Sequence, residues 1–131
     1  YLNVYDNLDL VLSATGWEKE SDKNSQIDKV LQLLKIESLK TANIQDLNKK
    51  TYVQVLLARA LLNNPPILLL DAPVEDLDVQ AAQEILAFIH QFAQKSNTTV
   101  FFATVNNKIP KLLAGDKILT CQNQTIVEED A

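Results

Sequence analysis

The stretch Leu57-Ala58-Arg59-Ala60-Leu61, followed by Pro65-Pro66-Ile67-Leu68-Leu69-Leu70-Asp71-Ala72-Pro73, decides the fold. Val53, Val55, Leu56, Leu57, Ala60, Leu61 and Leu62 predict a buried helix over 50–62, apolar almost all round. Asn63-Asn64-Pro65-Pro66 stops it, because proline cannot continue a helix and restricts the residue before it. Ile67 to Asp71 then reads as a short strand. Its continuous apolarity suits a central parallel strand covered on both faces. In open α/β sheets ligands sit beyond the carboxyl ends of the strands. Asp71 is therefore a candidate magnesium ligand, directly or through water. An aspartate that merely ends a strand fits equally well.

Outward from this point, the first half reads as helical and the second as α/β. Val4, Leu8, Val11 and Leu12 predict a helix from Tyr1 to about Trp17, and Glu18 to Ser25 reads as a polar linker. Ile27, Val30, Leu31 and Leu34 mark a second amphipathic helix ending near Ile36, and polar 37–48 loops into the third. Asp78 is placed to cap a long helix to about Gln94. A strand over 98–103, a short helix over 109–113 and a hairpin of 116–121 with 125–128 complete the reading. A strand, a helical crossover and a parallel strand form a right-handed unit.

Composition excludes several classes. The chain has 131 residues, enough for one core, with 47% hydrophobic and 22% charged residues. A net charge of -5 argues against broad nucleic-acid binding, which needs a basic footprint. Apolar runs such as Ile67 to Leu70 are far too short to span a bilayer. The opening residues do not read as a basic, apolar and small-residue leader, so no signal peptide is expected in this stretch. Starting at Tyr1 and lacking methionine, it is expected to be a fragment or a processed piece. The single cysteine, Cys121, forbids an internal disulfide and reads as a buried thiol in a strand. One histidine, His90, is too few for a zinc cluster or a nucleophilic triad, and reads as a surface or partly buried helix residue.

Five segments, in order, resemble ABC transporter-type ATPases. Residues 1–8, YLNVYDNL, are similar to the LTVYENL that opens the family's helical subdomain. Leu57 to Leu61 is similar to the IARAL of its signature helix, and 66–78 to P-x-hydrophobic-D-E-P-T-x-x-L-D. Residues 99–106 parallel the strand ending A-T-H-D, and 116–128 the terminal D-R-I-L hairpin. The N-terminal wording with Ala14-Thr15-Gly16-Trp17 looks closest to the cell-division and lipoprotein-export branch. The resemblance implies a helical subdomain over 1–50 and, over 51–131, the Walker B, D-loop and C-terminal part of a parallel P-loop-NTPase-type sheet with flanking helices.

The departures cluster around one phosphate. Where the family's LSGGQ signature stands, this chain has Leu47-Asn48-Lys49-Lys50-Thr51. Glycines there let backbone N–H groups approach a nucleotide. Lys49 and Lys50 obstruct that approach, and their charges oppose the helix dipole. Through the resemblance, Asn48, Lys49, Lys50 and the D-loop residue Asp78 are the candidate nucleotide-binding residues; solvent-facing lysines and simple helix caps are the alternatives. Ala72 stands at the family's general-base position, and its methyl group cannot take a proton from water. Such a base is worth about 10²–10⁴ in rate. Val105 stands at the position of the histidine that orients water. Thr104 and Asn106 flank it, and Glu75 and Asp76 read as exposed turn acids.

The phosphate loop G-x-x-x-x-G-K-[S/T] is missing, since neither Gly16 nor Gly115 precedes Lys-Ser or Lys-Thr. The resemblance places that loop before Tyr1. It thus implies a domain piece deficient in hydrolysis, with ATP and Mg2+ belonging to a longer parent and no cofactor expected for this stretch alone. The implied setting is cytoplasmic, peripheral to the inner membrane, as a regulatory or structural partner of a membrane permease subunit or ABC ATPase, in a homo- or heterodimer. The alternative is part of an active subunit that uses an upstream phosphate loop and a competent partner.

Overall fold

The computed structural model describes residues 2–113 and 115–129, so the helix start expected at Tyr1 lies outside the described residues. Helix α1 (Val4–Ala14) begins where Asn3 Oδ1 accepts the Asp6 backbone N–H at 2.7 Å. Val4, Leu8 and Leu12, four residues apart, are fully buried. The helix is shorter than expected at its C-terminal end. Its last turn is closed by Thr15 donating to Val11 O, and Gly16 follows in the left-handed region at φ 92°.

Helix α2 (Glu20–Leu33) starts inside the stretch read as a linker. Polar composition hid it, because its first turns are held by charge rather than by apolar residues. Lys23 is only 5% exposed. Its ammonium lies 2.6 Å from Glu20 and 3.1 Å from Asp9 on α1, and donates to Ser13 at 3.1 Å. Bonding to Glu20 and then Asp9 raises the Lys23 pKa. Among the described residues no other donor reaches Asp9 Oδ1. Ile27, Val30 and Leu31 form the apolar face.

Two 3₁₀ turns, Glu37–Leu39 and Ile44–Asp46, lead to α3 (Lys49–Leu61). An isolated antiparallel bridge, Asn3 to Asn43, ties this connection to the start of α1. Helix α3 is less enclosed than its composition suggested. Val55, Leu57, Ala58 and Leu61 are buried, but Tyr52 and Leu56 are exposed. Buried Gln26 donates to Leu62 O at 2.7 Å, satisfying an end carbonyl of α3.

Strand β1 (Ile67–Asp71) pairs in parallel with β2 (Thr99–Ala103) across the long helix α4 (Val79–Lys95). Leu68 joins Ile85, Leu86 and Ile89 of α4 in one buried cluster that also holds the helical core and Ile109 of α5 (Ile109–Leu113). The expectation that β1 is covered on both faces is corrected. Ile67 is 55% exposed, Leu69 74%, and Phe101, the register partner of Leu69, 51%. Continuous apolarity reports what a strand is suited to, not what this stretch of chain supplies.

The hairpin strands are β3 (Leu119–Gln122) and β4 (Thr125–Glu128), so β3 begins later than expected. They join through Asn123 and Gln124, both at positive φ (49° and 63°), as a two-residue turn of the type that matches strand twist. Cys121 is exposed, which corrects the buried reading: nearly every residue of this ribbon faces outward.

Candidate functional site

The parallel register sets Asp71 beside Ala103 and so brings the carboxyl ends of β1 and β2 together. The pairing runs one residue further, with Ala72 N donating to Ala103 O at 2.9 Å. Ala72 has φ 48°, a left-handed conformation that a non-glycine residue adopts under strain. The chain reverses there, and Val74, 3% exposed, pins the turn to the core. After β2, Thr104 accepts from Asn106 N at 3.0 Å, Asn106 Oδ1 accepts from Lys108 N at 3.0 Å, and α5 follows. Val105 lies at the crest of this loop, 91% exposed.

Asp71 is exposed at this end of the sheet, free to offer one oxygen to a cation. Among the described residues no three His, Cys, Asp or Glu side chains converge to hold a metal ion. A magnesium here would draw its remaining ligands from nucleotide oxygens and water, which suits a hard cation that keeps several waters. Neither Ala72 nor Val105 can accept a proton from water. Among the described residues, one charged side chain is hydrogen-bonded to a side chain at this end. It is Glu75, whose Oε1 accepts from Thr104 Oγ1 at 2.7 Å.

The four candidate nucleotide-binding residues come together elsewhere. Asn48, Lys49, Lys50 and Asp78 line one groove of about 470 Å³, between the N-terminal ends of α3 and α4, with Asp76, Gln80 and Glu84. Asn48 Oδ1 accepts from Thr51 N at 2.9 Å and Asp78 Oδ1 from Ala81 N at 2.8 Å, so both are helix caps. Lys50 is bonded to Glu84, and that bond holds the Glu84 carboxyl below its usual range. Lys49 is exposed at the helix start. The groove thus lines three carboxylates against two ammonium groups, one already neutralised. Its sign disfavours a polyanion unless one is brought with its own cation.

Two features escaped the sequence. Glu84 carries no motif that links it to Lys50, 34 residues earlier; only helix packing brings them together. Glu75 was visible as a turn acid, but its reach to Thr104 depends on the sharp reversal at Ala72. His90 sits half-buried on α4 and is not among the residues that line the groove.

No protein-family model matches the chain. A zinc import ATP-binding protein, ZnuC of Haemophilus influenzae, is 36% identical over 108 residues, which is 82% of this chain and 40% of that protein. A lipoprotein-releasing system ATP-binding protein, LolD of Ehrlichia ruminantium, is 31% identical across 95% of this chain and 53% of its own length. The chain therefore spans about half, or less, of these curated relatives. In fold it is similar to cbiO1 of Clostridium perfringens, part of the ABC transporter complex cbiONQ. There the TM-score is 0.85 at 23% identity, over 95% of this chain and 49% of that one. The sequence likeness is not confined to the lipoprotein-export branch, since zinc-import proteins share it.

Proposed function

Because the chain belongs with the ATP-binding domains of ABC transporters and corresponds to part of one, we propose that it contributes the frame of such a domain without its hydrolytic chemistry. In this reading it serves as a regulatory or structural partner of a membrane permease or of a competent ATPase, peripheral to a membrane. One observation carries the reading: the two positions at the ends of β1 and β2 where water would be activated hold Ala72 and Val105, which have no proton-accepting group. The Lys50–Glu84 pair in the groove supports it, because a lysine already bonded is poorly placed to greet a phosphate.

Hydrolysis of ATP with magnesium tests the reading, measured on the chain and on any longer parent that contains it. The expected rate stays at background. Turnover like that of an intact ABC ATPase would overturn the proposal.

A second reading is kept because Asp71 is retained at the end of β1. In that reading the stretch belongs to a working site completed by a phosphate loop on the same parent and by a partner subunit. Saturable, magnesium-dependent ATP binding by the parent that Asp71→Asn weakens favours it.

A further inference from the structure

The turn after β1 and the loop after β2 are linked by side chains as well as by the strand ladder. Thr104 has one hydroxyl proton, and it goes to Glu75 Oε1 at 2.7 Å. That choice aims a lone pair of the same oxygen at the Asn106 N–H, 3.0 Å away. Asn106 passes the order on, its side chain accepting from Lys108 N at 3.0 Å and its carbonyl from Ile109 N at 3.2 Å. Each end of this relay is anchored in the core, by Val74 next to Glu75 and by Ile109. A hydroxyl that donates to a carboxylate becomes the better acceptor, and bonds to charged groups are the stronger ones.

From this geometry we propose that Glu75 is a positioning residue. Its carboxylate fixes the rotamer of Thr104 and thereby holds the loop that carries residue 105 over the end of the sheet. The turn after β1 and the loop after β2 then move as one unit. This inference goes beyond the proposed function and does not rest on it, since no nucleotide enters the argument.

Residue-resolved amide hydrogen exchange on the whole chain tests the proposal, with Val100 to Phe102 of β2 as the internal reference for folding. Glu75→Ala is expected to speed exchange at Asn106 and Lys108 by about three- to tenfold, the population change one such hydrogen bond makes, while the reference amides keep their rates. Thr104→Val should do the same, and Thr104→Ser, which keeps the hydroxyl, should restore wild-type protection. In the double variant Glu75→Ala with Thr104→Val, exchange should be no faster than in Thr104→Val alone. Unchanged exchange at Asn106 in Glu75→Ala, or effects that multiply in the double variant, would overturn the proposal.

Discussion

Where α1, α2 and α3 meet, Leu8, Leu12, Ile27, Leu31 and Leu62 are all fully enclosed, and even a lysine is folded under. On the β1–β2 sheet, Leu69 and Phe101 stand side by side in register with more than half of their surfaces in water. The apolar side chains of the two regions meet opposite fates. The difference teaches that the shared core encloses the apolar side chains of the helical part, whereas the sheet turns one face to that core and leaves the other open.

Truncation is the sharpest way to break that comparison. Leu31→Ala should lower the stability of the chain by about 2–5 kcal/mol, the range for emptying a buried leucine site. Leu69→Ala, on the open face, should change it by less than about 0.5 kcal/mol. Urea unfolding of both variants, followed by circular dichroism, measures the contrast. Equal losses would mean that the sheet face is covered in solution.

The buried ammonium sharpens the helical side. Lys23→Met removes the ammonium that, among the described residues, alone compensates Asp9 Oδ1, and its loss of stability should exceed that of any exposed lysine. The sign with pH follows from the raised Lys23 pKa. A raised folded-state value gives stability that is full below the unfolded value of 10.5 and is lost as pH climbs past it. Wild type should therefore weaken in denaturant titrations above pH 10.5 by more than Lys23→Met does.

Much of this was legible in the sequence, for a physical reason. Elements whose residues report their own surroundings came through: the spacing of Val4, Leu8 and Leu12, the proline stop before Ile67, and the cap at Asp78. Periodicity shortens helix α2 because it tracks apolar residues, while the first turn is held by Lys23, Glu20 and Asp9. Cys121 and β1 look covered from sequence because composition records suitability for burial, and the cover itself is a tertiary matter. At the site, Ala72 and Val105 are singled out by resemblance to a motif. The Lys50–Glu84 and Glu75–Thr104 links could not, since no local pattern joins residues about thirty positions apart.

The caps offer a smaller contrast between the same two regions. Asn48 opens α3 in the helical part, and Asp78 opens α4 beside the sheet. Replacing either with alanine should cost about 1 kcal/mol by thermal unfolding. Asp78→Ala should fall at the larger end, because its bond to Ala81 N is partly shielded while that of Asn48 is in solvent.

The smallest expected effect lies where the two regions touch. Lys50 of α3 bonds Glu84 of α4, and both side chains keep a third or more of their exposure, so water screens the pair. The Lys50 bond lowers the Glu84 pKa from 4.5. A depressed carboxyl contributes stability that is present above the unfolded value and disappears as pH falls through the folded one. The window therefore lies at and below pH 4.5. Glu84→Gln should flatten the acid side of the stability profile slightly and leave the neutral side almost unchanged, and added salt should shrink even that difference. If Glu84→Gln instead loosened α3 from α4 at neutral pH, the pair would be holding the helical part against the sheet part. The open face of β1 and β2 would then be only one of two weak boundaries in the molecule.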